Sequence, residues 1–202
     1  MSPWEKLSQG MKVTAGSRFN AADRLRRQDK YANATQAVVS AVLICLAISS
    51  FVFTVVQAHS KEISFSSLVV SIFLLVITLR KASNNDTVNA EQMHRCALEI
   101  NELRRFGAAL SEIEMSAEIK DITLKYNQIF QKWSINHTSE DFNKYKLQHR
   151  WEFEELKDIS PASLDLKLFG SEFVNLSLEK VTLAATLAGL AAAVSSLLSL
   201  IG

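Results

Sequence analysis

Two long stretches without charge dominate the front half of the chain, and an alternation of apolar positions in steps of three and four dominates the back half. From Ala37 to Ala58 there are 22 consecutive uncharged residues, "AVVSAVLICLAISSFVFTVVQA". As a helix they would reach roughly 33 Å, enough to cross a bilayer core. A second uncharged run, Ile63 to Leu79, gives 17 residues and ends at Arg80 and Lys81. Its helical length of roughly 26 Å is short, but basic side chains at its end can stretch to the headgroups. The pair predicts a transmembrane hairpin over 37–81, with Val42, Leu46, Phe53, Val70, Phe73 and Leu74 among the spanning side chains. The competing expectation is a helical hairpin buried inside a soluble protein.

Beyond a polar break at Asn84 to Asp86, the residues Met93, Cys96, Ala97, Ile100, Leu103, Phe106, Leu110 and Ile113 predict an amphipathic helix of about seven turns. Ile119, Ile122, Tyr126, Ile129, Phe130 and Trp133 carry the same period onward, as a bent extension or as a second helix, with "SEIEMSAEIKD" at the bend. "INHTSEDF" then interrupts the pattern. Asn136 and His137 form its turn, Thr138 or Ser139 is suited to cap a helix, and Glu140 and Asp141 put negative charge in the first turn, where the helix dipole favours it. Phe142, Tyr145, His149, Phe153 and Leu156 supply the next buried face, so 83–170 reads as a helical module folded back at a capped corner. Within it, "ISPASLDLKLFG" gives a connection with Ser160 as cap and Pro161 at the first helical position.

The C-terminal segment 171–202 has two readings. Val181 to Gly202 is uncharged for 22 residues, long enough to span, yet rich in Ala, Ser and Thr, which drive insertion weakly. Phe173, Leu176, Leu183, Leu187, Leu190, Val194, Leu197 and Ile201 form a seam of heptad character, with small residues between them. The segment is therefore an oligomerisation helix or a third membrane helix. The leader 1–36, with Trp4, Leu7, Met11 and Phe19 among charges, predicts a helix that lies on the membrane surface or docks on the module.

Charge sharpens the membrane reading. The net value of +1 conceals seven bases against three acids in residues 1–36 and eleven bases against sixteen acids in residues 83–178. Bases flank both outer ends of the hairpin, while its loop offers Lys61 balanced by Glu62, so the N-terminus and the module should be cytoplasmic. Two prolines and six glycines favour long helices. The expected fold is all-α: a two-helix transmembrane hairpin, a cytosolic helical bundle and a C-terminal apolar helix of heptad pattern.

Catalytic chemistry is hard to find. His59, His94, His137 and His149 are scattered without metal-binding spacing, Cys45 and Cys96 suggest neither a disulfide nor a zinc site, and no phosphate-cradling or nucleophile-elbow motif occurs. No catalytic, cofactor or metal residues are assigned, direct nucleic-acid binding is not expected, and the chain is not expected to be an enzyme.

The order of parts resembles a known family. A basic helix, two tight spans, "MHRCALEINELRR" and then "YNQIFQKWSINHTSEDFNKYKLQHRWEF" are similar to the SLATT proteins, small prokaryotic two-span effectors. Tyr126, Ile129, Asn136, His137, Asp141 and Phe142 match the branch often encoded beside a reverse transcriptase, and the resemblance covers about Phe19 to Phe153. It implies a membrane effector of antiviral defence that forms a homo-oligomer, acts on membrane lipid, and is triggered by a sensor encoded nearby, such as a reverse transcriptase with its RNA. The alternative is a non-conducting scaffold that assembles with a nucleic-acid-synthesising partner.

Overall fold

The computed structural model describes residues 1–52, 57 and 60–156, which contain helices and turns and no strand. Among the described residues five α-helices follow one another: α1 (Pro3–Val52), α2 (Ser60–Asn84), α3 (Asp86–Ala108), α4 (Glu112–Lys132) and α5 (Ser139–Gln148). Two 3-10 turns, Arg150–Glu152 and Glu154–Leu156, complete the described chain. Phe53 and the whole C-terminal seam from Phe173 to Ile201 lie outside the described residues. The chain divides into two compact units. One takes residues 1–27 and 86–156 of the described chain, the other 28–52 and 60–85, and α1 contributes to both.

In the first unit the leader is a packed helix. Its Met11 and Ala15 join Cys96, Ala97 and Ile100 of α3 and Met115 and Ile122 of α4 in one core, with Trp4, Leu7 and Phe19 packed against it. A second cluster joins Ala21, Ala22 and Leu25 of α1 to Ala90 and Met93 of α3. Of the two expectations for the leader, these contacts are those of the helix docked on the module. Each large side chain buried here, such as Met93, Ile100 or Ile122, contributes about 1.5–3 kcal/mol.

The helix boundaries are set by short polar devices. Between α2 and α3, Asn85 takes φ 51°, a left-handed conformation that asparagine tolerates better than most residues. Between α3 and α4, Ser111 accepts from the Glu114 amide while the Glu114 carboxylate accepts from Ser111, a reciprocal cap that starts a new helix. Spacing alone places Ile113 on the buried face of α3; this cap instead puts it in the first turn of α4, where it is 87% exposed.

Gly16 and Gly107 mark close approaches. A Cβ on Gly16 would lie 2.0 Å from the Tyr145 ring, and one on Gly107 would lie 2.2 Å from the Trp4 ring. At Gly10, by contrast, nothing lies within 4 Å of an added Cβ. Gly16→Ala should therefore destabilise the chain by about 1–3 kcal/mol through overpacking. Gly10→Ala should stabilise it by about 0.5–1 kcal/mol, the ordinary gain of alanine inside a helix. Thermal unfolding of the two variants in detergent checks this, and equal shifts would contradict the packing of Tyr145 on α1.

Candidate functional site

Two sets of side chains stand out, one in each unit. In the first unit, the α1 residues Gln9, Lys12, Gly16, Asn20 and Arg24 recur at steps of three and four, so they share one stripe of the helix. That stripe holds α5 and the turns around it. Arg24 pairs with both oxygens of Asp141, Nε to Oδ1 at 2.9 Å and Nη2 to Oδ2 at 3.0 Å. Asn20 donates to the Asp141 carbonyl at 3.3 Å and to the Gln148 side chain at 3.0 Å. Lys12 and Gln9 donate to the Glu152 carboxylate at 2.6 and 3.2 Å. Gly16 leaves the space into which the Tyr145 ring fits.

Asp141 also belongs to the cap of its own helix. Of the two candidates, Thr138 is the N-cap: its hydroxyl accepts from the Asp141 amide, and Asp141 Oδ2 accepts from the Thr138 amide at 3.0 Å and hydroxyl at 2.9 Å. Ser139 is the exposed first residue of α5, and Asn136 accepts from the His137 amide at 3.0 Å. Burial alone would raise the Asp141 pKa, but Arg24 and Thr138 outweigh it and hold the carboxyl below its ordinary value. The hydrogen bond to Asp141 in turn raises Arg24.

Arg18 holds the other end of the corner. Its side chain is fully buried, donates to the Ile135 carbonyl at 2.9 Å and lies 5.0 Å from the centre of the Phe130 ring. A carbonyl and a ring face offset part of the cost of burying a guanidinium, yet its Nε has no hydrogen-bond partner among the described residues. Burial, with the Arg18 charge adding to it, lowers the His137 pKa.

The second unit carries the hairpin. Gln36 Nε2 donates to Thr78 Oγ1 at 2.8 Å, Lys81 bonds Asn33, and Lys81 lies 3.3 Å from Asp29. Gln36–Thr78 and Asn33–Lys81 share one antiparallel register, since three residues forward in α1 match three residues back in α2. Val42, Leu46, Val70 and Leu74 are half-buried, whereas Phe73 is 61% exposed. The hydroxyls of Ser49, Ser71 and Thr78 donate back to carbonyls of their own helices, so they do not demand water. Among the described residues only 6% and 0% of the most apolar stretch of each long helix is buried, unlike the core helix of a soluble protein. A surface so apolar and so open needs lipid or other protein to cover it.

The sequence pattern located the corner and the spans but not the residues that fasten them. Arg18, Asn20 and Arg24 read as parts of a basic leader, and Asp29, Asn33 and Lys81 as flanking polar residues. Among the described residues no group of three His, Cys, Asp or Glu side chains converges on a metal-sized site.

Comparison with known proteins agrees with this architecture. Residues 1–175 match the model of the SMODS and SLOG-associating 2TM effector domain family 5. No curated protein and no solved structure matches the chain significantly. The chain belongs to that family, the SLATT effectors, and its two apolar helices are consistent with a place in a membrane.

The corner should be sensitive to acid. The folded Asp141 binds a proton more weakly than the unfolded chain does. Its contribution is thus complete above the ordinary carboxyl value of about 4 and is lost as pH falls through the lower folded value. His137 acts at milder pH, because below about 6.5 the unfolded chain takes up a proton that the folded ring resists. The melting temperature should fall between pH 7 and 5, less so in His137→Gln, and fall again below pH 4, less so in Asp141→Asn. Arg24→Ala, which strands a buried carboxylate, should cost on the order of 3 kcal/mol. Adding Asp141→Asn to it should recover part of that loss, and denaturation of the three variants reads both values.

Proposed function

We propose that this chain is a membrane effector of a prokaryotic antiviral defence system, which oligomerises in the inner membrane and permeabilises it when a partner sensor engages the cytosolic module. The observation that carries the reading is that almost no residue in the most apolar stretch of either long helix is buried, together with α1 being a single helix. Residues 18–24 of that helix hold the corner before α5, and its later residues form the first arm of the hairpin. A partner that pulls on the corner would thus act on a helix that continues into the first span. The cytoplasmic orientation of the module follows from the bases flanking the spans.

Two spans per copy cannot enclose a conducting path, so permeabilisation requires several copies. Ser40, Ser66, Ser67 and Ser71 offer hydroxyls that could face water in such an assembly. The seam from Phe173 through Leu176, Leu183, Leu187, Leu190, Val194, Leu197 and Ile201 is the proposed source of self-association. The matched Asn136-His137 and Asp141-Phe142 pairs favour a reverse transcriptase with its RNA as the sensor.

The test is dye entry and membrane potential in cells producing the chain, with and without the neighbouring sensor gene and a phage challenge. Depolarisation is expected only when sensor and challenge are both present. Val70→Glu, which places charge in the second span, should abolish it while the protein still accumulates in the membrane. Leu187→Asp with Leu190→Asp should abolish it together with self-association. Protection that persists with intact membranes would replace this reading with that of a non-conducting scaffold.

A further inference from the structure

We infer that the groove between α3 and α4 is a two-fold interface that pairs the cytosolic module with a second copy of this chain. The inference rests on the oligomeric reading above and assigns the assembly a second surface besides the C-terminal seam. The groove encloses about 570 Å³ and has an apolar floor of Leu103, Phe106 and Ile129. Its walls differ in sign: Glu99 and Glu102 stand on α3, Lys125 and Lys132 on α4. Phe106 remains 48% exposed, and Leu98 and Leu124 on the same two helices are 46% and 55% exposed. The charge-free runs of the hairpin lie outside the described residues of this unit, so these side chains would otherwise meet water.

The charges identify the occupant. Glu99 is already engaged by Lys132 at 2.5 Å and by the Trp133 indole at 3.1 Å. Glu102 makes no hydrogen bond or ion pair with the described residues and stands exposed on the acidic wall. Lys125 is held by Asp121 at 2.6 Å and is 51% exposed, so it keeps donors free for a second carboxylate. A two-fold axis lying along the groove sets the acidic wall of each copy on the basic wall of the other. Glu102 of one copy then faces Lys125 of its mate, twice, and the two apolar floors close on each other. Such a surface is self-complementary, as an isologous contact requires. A partner of one uniform charge would meet one attractive and one repulsive wall.

The test uses the full chain in detergent, with its mass measured by light scattering or native mass spectrometry. Glu102→Lys and Lys125→Glu should each weaken self-association at least tenfold, because each places like charges at both symmetric contacts. Mixing the two variants under different tags should restore the pairing, since each of the two contacts then joins a lysine to a glutamate again. Restoration by mixing is a result that misfolding of either variant would not produce. Oligomers unchanged in both variants, or a mixture as weak as its components, would overturn the interface while leaving oligomerisation standing, and would leave the groove to a different protein. A wild-type chain that stays monomeric at every concentration would overturn the oligomeric reading, and this interface with it.

Discussion

A carboxylate with almost no access to water must be matched within the protein, and the first unit is arranged around that requirement at Asp141. Its two oxygens are shared between a guanidinium from α1 and the amide and hydroxyl of Thr138. The same side chain thus fixes where α5 starts and where α5 is attached. Removing either set of donors would leave the other unable to satisfy the charge alone, which links a local cap to a contact 117 residues away in sequence. The remaining polar contacts of the stripe follow from this placement. Once α5 lies on α1, Asn20 can reach its backbone, Tyr145 enters the space at Gly16, and Glu152 arrives beside Lys12.

α1 in its first part therefore serves two surfaces. The face with Met11, Ala15 and Ala22 closes a hydrophobic core with α3 and α4, and the face with Lys12, Asn20 and Arg24 binds α5 and the turn after it through hydrogen bonds and charge. Burial supplies the larger, non-directional share of the stability. The polar face supplies direction, because a bidentate arginine–carboxylate pair tolerates little sliding or rotation. Arg18 lies at the boundary between the two surfaces, with its charge buried and only partly matched. Burying an arginine in this way is a poor means of gaining stability, and it fits a role in holding the corner at Ile135 in one position.

These features were legible in the sequence to different degrees, and the reason is the range over which each signal acts. The spans and the capped corner are local: charge-free runs of sufficient length, and a Thr-x-x-Asp cap beside Asn-His, are visible within a few residues. The Ser111–Glu114 cap is equally local, but apolar spacing runs past it to Ile113 and carries that residue to the wrong face, although the break itself is legible in "SEIEMSAEIKD". The Arg24–Asp141 pair could not be read, because a sequence shows charges without showing which of them meet. Gly16 and Gly107 were silent for a similar reason. A glycine inside a helical pattern looks like a tolerated defect until the ring that occupies its missing side chain is known. The leader's arginines looked like a positive-inside signal, and part of that charge is in fact consumed inside the fold.

The hairpin obeys the opposite economy to the corner. In the first unit, polar groups are buried and matched so that one helix is held to another; in the second, hydroxyls are matched within their own helices and the apolar side chains are left outward. Inward-facing hydrogen bonds such as Gln36–Thr78 fix the register of the two arms, but they add too little to stabilise an isolated pair of helices in water. In a membrane, lipid would supply what is missing, because it covers exposed side chains without requiring specific contacts from them. There the outer surface of the hairpin would be free to exchange lipid for another copy at little cost in burial, whereas the corner cannot be altered without exposing or stranding a charge. A change of state that starts at the corner and ends in the membrane would use both properties: a contact specific enough to be recognised, and a surface permissive enough to rearrange.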